Sequence, residues 1–380
     1  MINLIKSIKK FLGSSLLGWL LCNPIWVFAI DDQWQDVDRI VAIGDIHADY
    51  PHFVEVLTNA GIINKRGNWI AGATHLVQLG DVPDRGSDTV LCINLLRKLE
   101  RQALRAGGMV HALIGNHEAM NILGDLSYVH PNDYKVLQSN QARRLQNDYY
   151  LQVREQQQRT QPDLVTGPEF RELWEQKYPL GFVEHRIAWS AKGDIGSWVL
   201  EHNAVIKINR TLFLHGGISP AVLGRTISNI NQQVRNELQA GVLTGETGLS
   251  ESEQGPLWYR GLAQNDEASE APHVEAVLAF YDVDRIVIGH TPGFGTIMPR
   301  FGGKVLLVDS GISDYYGAHL ASLVLADNML LNIQRGTTLN IPTGATDPLP
   351  YFQAVAELEP GASALQELVT RMLNPALPIK

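Results

Sequence analysis

The chain has 380 residues, of which 45% are hydrophobic and 19% charged, and this is the composition of a globular protein with ample material for a large core. Its formal net charge is −9, and no cluster of basic residues is present to neutralise a run of phosphates. We therefore expect no nucleic-acid partner. Cys92 lies on an apolar helical face, which predicts a buried structural thiol rather than a nucleophile.

Residues 1–29 have the pattern of a secretory signal peptide. Three lysines precede an apolar run at residues 11–21, and Val27-Phe28-Ala29 is a suitable cleavage site. The alternative is an uncleaved membrane anchor, because residues 11–30 are long enough to span a bilayer, although Asn23-Pro24 interrupts them. Both interpretations predict an exported protein, periplasmic or secreted, and we expect no stable membrane insertion of the mature chain.

Beyond this segment, short apolar runs that end in glycine-containing turns alternate with helical patterns, and this alternation predicts an α/β fold. Helices are predicted from Asp49 to Ala60, from Ser87 to Arg105 and from Val274 to Phe280. The predicted strands cover residues 39–43, 76–79, 109–114, 198–200, 204–208, 211–214, 285–288 and 305–308.

Residues 119–200 interrupt the alternation. They contain a polar stretch, residues 138–162, with only a thin apolar stripe, and a second short helical pattern at residues 170–178. We interpret residues 119–200 as a helical cap that faces the substrate; the alternative is a solvated helical excursion with no such role. The cap lies within a catalytic domain, residues 30–340. A tail, residues 341–380, is rich in proline and alanine and has one predicted helix at residues 362–372.

Each strand end carries side chains that bind metals: Asp45 with His47, Asp81, Asn116 with His117, His215, and His290. Carboxylate, amide and imidazole donors together favour divalent Mn, Fe or Zn over Ca or Mg. The set is too large for one four-coordinate ion, and it suits two ions about 3.5–4 Å apart. We expect Asp81 to bridge them, because glycines and a proline constrain its turn most tightly.

The same segments resemble a known family. Calcineurin-like metallophosphoesterases share the forms Gly44-Asp45-Ile46-His47, Gly80-Asp81-Val82-Pro83-Asp84-Arg85-Gly86, Gly115-Asn116-His117-Glu118, His215-Gly216-Gly217 and Gly289-His290-Thr291. The second and third forms resemble the phosphoprotein phosphatase branch. Within that branch, the segment from Gly255 to Gly261 and the long segment before His215 resemble the Shewanella-like protein phosphatases. The resemblance covers about Ile40 to Gly317, and it departs at Ala48, where the family usually has glycine.

The resemblance implies a central β-sandwich flanked by helices, with a dinuclear metal site at one edge. Asp45, His47 and Asp81 would hold one ion. The other would be held by Asp81, Asn116, His215 and His290. The implied ions are two divalent cations, with Mn²⁺ favoured and Fe or Zn as alternatives. They would make a bridging hydroxide available near neutral pH for in-line attack on phosphorus.

The remaining roles follow from the same likeness. Arg85 and Arg260, together with Asn116, would bind the phosphate, because a guanidinium fork matches its oxygens. His117 would protonate the leaving oxygen as a general acid, and Asp84 would hold its other ring nitrogen. The alternative for Arg85 is a structural ion pair with a neighbouring acid.

These features predict a phosphomonoesterase that acts on phosphoproteins. The alternative is a hydrolase of nucleotides, dinucleoside polyphosphates or other small phosphate esters, since the same metal site would serve them. A third interpretation is an exported binding protein that holds metal without turnover. His117 and Asp84 argue against this third class, because neither is needed to retain the ions.

Overall fold

The computed structural model of the chain describes residues 30–160, 167–241 and 248–374. The segment interpreted as a signal peptide therefore lies outside the described residues. Among the helices within these ranges, none is both long enough and apolar enough to cross a membrane.

The strands form two mixed sheets of six strands each, in the orders β1-β5-β6-β7-β9-β8 and β12-β11-β10-β2-β3-β4. Their bounds are β1 Gln33–Trp34, β2 Arg39–Ile43, β3 His75–Gln78, β4 Met109–Ala112, β5 Val205–Ile208, β6 Thr211–Leu214, β7 Arg285–Ile288, β8 Met298–Arg300, β9 Val305–Leu307, β10 Ala321–Ala326, β11 Met329–Gln334 and β12 Thr337–Asn340.

Helices cover the sheets and fill the long connection between β4 and β5. They are α1 Tyr50–Asn59, α2 Thr89–Arg105, α3 Asn116–Leu123, α4 Pro131–Leu137, α5 Ala142–Thr160, α6 Pro168–Lys177, α7 Phe182–Ala188, α8 Asp194–Val199, α9 Ile227–Ala240, α10 Gly261–Gln264, α11 Glu267–Tyr281, α12 Leu349–Leu358 and α13 Ser363–Leu373. Short 3₁₀ turns occur at Phe301–Gly303 and Asp314–Tyr316.

The two sheets pack face to face, and side chains alternate between the two faces of each strand. In β2, Ile40 and Ala42 join a core that also contains Phe213 of the other sheet, whereas Val41 and Ile43 join the core shared with the helices. Burying one such aliphatic side chain stabilises the fold by about 1.5–3 kcal/mol. The predicted α/β architecture, a central β-sandwich flanked by helices, is confirmed.

Parallel pairing fixes where the strand ends meet. The neighbours β2, β3 and β4 run parallel, and so do β6, β7 and β9. The turns that follow these strands therefore lie together at the carboxyl edge of their sheets, where an open α/β sheet presents its ligand-binding groups.

Two features of the fold differ from the sequence expectations. Residues 198–200 were predicted as a strand, and this is wrong: Trp198 and Val199 end α8, which buries Ile195, Trp198 and Val199 at helical spacing. Packing of that face outweighs the β-preference of the two residues. The hairpins of β10, β11 and β12 were not predicted, although their turns at Asp327-Asn328 and Arg335-Gly336 have the paired positive φ angles of hairpin turns.

The helical connection and the C-terminal helices pack differently. In α5, only Ala142 and Tyr150 are buried, which agrees with the exposed helix expected for that stretch. In contrast, Tyr351 of α12 and Leu365 of α13 are buried in the core between the sheets. Residues 349–373 thus complete the sandwich core.

Candidate metal centre and phosphate pocket

The turns after the parallel strands bring the predicted metal-binding side chains together. Each of them is at most 4% exposed: Asp45, His47, Asp81, Asn116, His215 and His290. Because their strands belong to both sheets, the sandwich itself sets the spacing of this centre. No single turn supplies more than two of the residues.

Asp81 lies between two groups of donor atoms. On one side, His47 Nε2 is 3.8 Å from Asp45 Oδ2 and 3.9 Å from Asp81 Oδ2. On the other side, His215 Nε2 is 3.3 Å from Asp81 Oδ1 and 2.8 Å from Asn116 Oδ1. The two oxygens of the Asp81 carboxylate therefore face different groups, which is one arrangement by which a carboxylate is shared between two cations.

Backbone carbonyls orient the imidazole rings. His47 Nδ1 lies 3.3 Å from Pro83 O, and His215 Nδ1 lies 2.7 Å from Leu79 O. A carbonyl accepts from the N–H of the ring, so the other nitrogen is left as a lone-pair donor that faces the centre. His290 uses Nε2 in the same way, 3.1 Å from Trp258 O.

Electrostatics in the centre favour bound cations. Burial raises the pKa of Asp45 well above its usual value, and the neighbouring Asp309 and Asp81 raise it further. Burial likewise raises the pKa of Asp309 to about 7. Burial also opposes ionisation of Asp81, yet His215 and His117 hold the pKa of that carboxyl well below its usual range. Buried carboxylates this close together are compensated when they coordinate metals, and the oxygen and nitrogen donors fit divalent ions.

Several of these residues have backbone conformations that side chains rarely adopt. The φ angles are 47° at His47, 57° at Asp81 and 66° at His290. Such left-handed residues cost on the order of 1–3 kcal/mol each, and they are concentrated at functional sites. Ala48 has a φ of 54°, so the glycine usual in the family would adopt this conformation more easily. The departure at Ala48 therefore changes local strain and leaves the placement of His47 intact.

Close backbone approach explains one pair of glycines. Gly80 has a φ of 93°, and a Cβ atom there would lie 2.6 Å from the Cα of Gly115. A side chain at position 80 would thus separate the turn that carries Asp81 from the turn that carries Asn116.

His117 has the surroundings of a proton donor. Its Nδ1 lies 2.6 Å from Asp84 Oδ2, and Asn121 Nδ2 donates to both oxygens of Asp84 at 3.0 Å. Burial lowers the pKa of His117, but Asp81 and Asp84 outweigh this effect and raise it overall. The Nε2 atom faces the centre, 3.8 Å from Asp81 Oδ2. The imidazole is therefore oriented, and its proton is retained to higher pH.

The two predicted phosphate-binding arginines lie against different elements. Arg260 Nη1 donates to His290 O at 2.9 Å and to Thr291 Oγ1 at 3.0 Å, so it lies beside the turn after β7. The guanidinium of Arg85 stacks on the ring of Tyr128. Within the described ranges, no carboxylate forms an ion pair with Arg85, so the alternative of a structural ion pair is not supported there.

One residue that supports the metal-binding turns, Glu118, was not predicted from the sequence. The carboxylate of Glu118 accepts hydrogen bonds from the backbone N–H groups of Gly115 at 2.8 Å, Asp81 at 2.9 Å and Val82 at 2.8 Å. It therefore ties the turn after β3 to the start of α3. The residue is part of the Gly-Asn-His-Glu motif, so the signal was present. No sequence signal indicated Tyr128, which lies beside Arg85 and His117.

A cavity of about 430 Å³ opens beside the centre. Met120 and Trp258 contribute apolar walls, and Asp125 and Glu251 contribute acidic groups to its lining. Met120 Sδ is 3.8 Å from Asn116 Nδ2, so the cavity adjoins the metal-binding side chains. Its lining contains no lysine or arginine among the described residues.

Comparisons with known proteins agree with this geometry. The family model of the calcineurin-like phosphoesterases matches residues 38–294. An uncharacterised protein of Schizosaccharomyces pombe is 33% identical over 299 residues, which cover 76% of this chain and 77% of the relative. Shewanella-like protein phosphatase 2 of Arabidopsis thaliana is 26% identical over 343 residues, covering 81% of this chain and 82% of the relative.

One solved structure is similar over the same extent. The cold-active protein tyrosine phosphatase of a psychrophilic Shewanella species shares 27% identity and a TM-score of 0.63. The match covers 82% of each chain.

Proposed function

The chain belongs to the calcineurin-like phosphoesterase family, and from this premise we propose that it is an exported protein phosphatase that uses two Mn²⁺ ions. Metal-dependent phosphoester hydrolysis follows from the family and from the buried clusters of metal-binding side chains. We propose four further points: that the substrate is a protein, that the metal is Mn²⁺, that each residue has the role given below, and that the protein is exported.

The residues divide between the ions as their distances suggest. Asp45 and His47 would hold one ion, and Asp81 would be shared. The second ion would take Asn116, His215 and His290. Mn²⁺ accepts this mixture of oxygen and nitrogen donors, and the set contains no thiolate. When bound, such ions lower the pKa of water and offset charge on the phosphoryl oxygens.

The hydrogen bond between His117 and Asp84 is the observation that most strongly supports catalysis. A protein that only stores metal does not need an imidazole with a raised pKa held at 2.6 Å by a carboxylate beside the centre. His117 would donate the Nε2 proton to the leaving oxygen, and Asp84 would keep the ring in place. Arg85, Arg260 and Asn116 would orient the phosphate.

The acidic cavity supports a protein substrate over a nucleotide. Asp125 would repel the additional phosphates of a nucleotide or dinucleoside polyphosphate, whereas a lysine or arginine side chain of a peptide would complement it. The Arabidopsis and Shewanella relatives are named as protein phosphatases. Since the Shewanella protein is described as a tyrosine phosphatase, we place phosphotyrosine first among the substrates.

The test is hydrolysis by the purified protein with Mn²⁺, measured on matched peptides that contain phosphotyrosine, phosphoserine or phosphothreonine, and on nucleotides. Each peptide is supplied with lysine or with glutamate beside the phosphorylated residue. We expect the highest kcat/KM on a phosphotyrosine peptide with a neighbouring lysine. Turnover of nucleotides alone would establish the alternative hydrolase, and two bound ions without turnover of any substrate would establish the binding protein.

Export is tested separately by mass spectrometry of the protein recovered from cell fractions. Cleavage after Ala29 predicts a mature chain that begins at Ile30 in the exported fraction. A full-length chain in the membrane fraction would indicate the uncleaved anchor, and a full-length chain in the soluble cytoplasmic fraction would contradict export.

A further inference from the structure

Two aromatic rings lie against the guanidinium of Arg85. Its guanidinium carbon lies 3.8 Å from the centroid of the Tyr128 ring and 4.9 Å from that of Tyr315. The Nη1 atom also donates to the hydroxyl of Tyr315 at 3.1 Å. The two tyrosines come from segments that are remote in the sequence: the loop between α3 and α4, and the 3₁₀ turn Asp314–Tyr316.

We propose that Tyr128 and Tyr315 are positioning residues that hold Arg85 in its phosphate-binding orientation without neutralising its charge. We call the two rings the tyrosine clamp. This inference rests on the proposed phosphatase function, and it adds residues for which the sequence motifs gave no role.

Contact with aromatic rings rather than with a carboxylate leaves the positive charge of Arg85 available to attract phosphate. An acid would occupy the N–H groups in the plane of the guanidinium and would offset the positive charge that attracts phosphate. A ring face instead contacts the guanidinium above or below that plane, so most of its N–H groups stay available for a ligand. Within the described ranges, the Arg85 guanidinium donates a hydrogen bond only to the Tyr315 hydroxyl, and its buried Nε has no partner.

Backbone hydrogen bonds tie the segments that carry the two rings to neighbouring turns. Asp84 and Arg85 have φ angles of 72° and 69°, so two successive residues lie in the left-handed region. The Arg85 N–H donates to Tyr128 O at 3.0 Å, and this bond links the turn to the loop that carries the ring. The backbone of Asp314 is in turn fixed by a hydrogen bond of 2.8 Å from its N–H to Asp49 Oδ2. The segments that carry Tyr128 and Tyr315 are thus each hydrogen-bonded to a turn or helix start beside the metal centre.

The test combines steady-state kinetics on p-nitrophenyl phosphate with calorimetric binding of inorganic phosphate, both on the Mn²⁺-loaded protein. Tyr128→Leu removes one ring, and we expect KM and the Kd for phosphate to rise about tenfold while kcat changes less than about threefold. Tyr128→Phe keeps the ring and should restore phosphate affinity to within about twofold. Tyr315→Phe removes only the hydroxyl, and we expect a loss of about threefold.

A double-mutant cycle separates this role from a general structural one. If the clamp acts through Arg85, Tyr128→Leu should have no further effect on phosphate affinity in an Arg85→Ala background. An equal loss in both backgrounds, or a wild-type affinity for Tyr128→Leu, would overturn the proposal. Phe280→Leu, at an exposed aromatic that precedes the amino end of β7, serves as the matched control for loss of a surface ring.

Metal content and the thermal midpoint of each variant identify any that fail to fold. In that case Tyr315→Phe carries the test, in the wild-type and the Arg85→Ala backgrounds, and an absent loss in the first or an equal loss in both would overturn the proposal. Failure of the tyrosine-clamp proposal can also be distinguished from failure of the proposed phosphatase function. If the wild-type protein hydrolyses no monoester, the phosphatase proposal fails, whereas the phosphate-binding cycle still decides whether the two rings position Arg85.

Discussion

The candidate metal centre and the helical connection at residues 119–200, called the cap for its position alone, differ in how their polar and aromatic side chains are held. In the centre, His47, His215 and His290 each place one ring nitrogen against a backbone carbonyl. In the cap, His185 is buried, yet its Nδ1 has no partner in the described part of the chain. Hydrogen bonds to the backbone thus orient the imidazole rings of the centre, whereas the buried imidazole of the cap keeps one ring nitrogen unpaired within the described residues.

The cap packs largely through aromatic rings. Trp174 of α6 contacts Tyr149 and Tyr150 of α5 at ring-centroid distances of 5.6 Å and 5.2 Å. These contacts join the cap helices to one another, and the cap approaches the centre through Arg186, which donates to the carbonyls of Asn121 and Ile122. We therefore expect changes at the contacts between α5 and α6 to spare the metal centre, and changes in the centre to be severe and local.

The largest effect is expected for Asp81→Ala. Removing the carboxylate that faces both groups of donors should abolish binding of both ions and reduce turnover by about 10⁴-fold or more. Elemental analysis of the purified variant measures the ions directly. The control is Asp148→Asn, an exposed acid on α5, which should keep two ions per chain. An Asp81→Ala protein with a full complement of metal would contradict the bridging role.

The second largest effect is expected for His117→Ala. Its kcat should fall by about 10²–10⁴ while its metal content stays unchanged, as is typical when a general acid is removed. The loss should be smaller on p-nitrophenyl phosphate than on an alkyl phosphate, because p-nitrophenolate leaves readily without a proton. Comparison of the two substrates is the measurement. Equal losses on both would exclude proton donation to the leaving group.

Trp174→Ala tests the independence of the cap. The residue is 6% exposed, and loss of the indole should destabilise the packing of α5 against α6 by about 3–5 kcal/mol. Limited proteolysis should then cut within residues 138–181 first, while metal content and turnover of p-nitrophenyl phosphate stay near the wild-type values. Loss of bound metal in this variant would show that the cap and the centre are coupled.

The smallest effect is expected for His185→Phe, and it depends on pH. Burial lowers the pKa of His185 to about 3 from an ordinary value of 6.5. The unfolded state therefore binds a proton below pH 6.5 that the folded state excludes, so stability falls as the pH drops from about 6.5 toward 3. At pH 5 this difference amounts to about 2 kcal/mol.

His185→Phe removes that proton-binding group and keeps a ring between Tyr134 and Trp189. Urea unfolding at pH 7.5 and pH 5 should show about 2 kcal/mol less acid destabilisation in the variant than in the wild type. An identical pH dependence in both proteins would indicate that His185 gains a compensating partner on protonation.

The difference between the metal centre and the cap also explains which features could be predicted from the sequence. Every set of metal-binding candidates followed a short apolar run and adjoined a glycine, and parallel pairing brings such positions to one edge of a sheet. The strand bounds at Arg39–Ile43 and Arg285–Ile288 agree with the prediction because hydrophobic periodicity and turn residues coincide there. His117 and Asp84 were paired through the resemblance, and the structure places them in hydrogen-bonding contact.

Features that depend on contacts between distant segments were not predictable. Trp198 has the local preferences of a strand, and only the face that it buries makes its segment helical. Tyr128 and Tyr315 meet at Arg85 although they lie 187 positions apart in the sequence. A single sequence does not encode such a meeting in any local pattern, because it depends on how the loops are carried by the sandwich.

Electron paramagnetic resonance of the Mn²⁺-loaded protein tests the central claim most directly. A carboxylate shared by two ions about 3.5–4 Å apart predicts an exchange-coupled Mn²⁺ pair at two ions per chain. The coupled signal should be absent from Asp81→Ala and retained in His117→Ala. A wild-type spectrum that contains only isolated Mn²⁺, at any loading, would contradict a dinuclear centre built around Asp81.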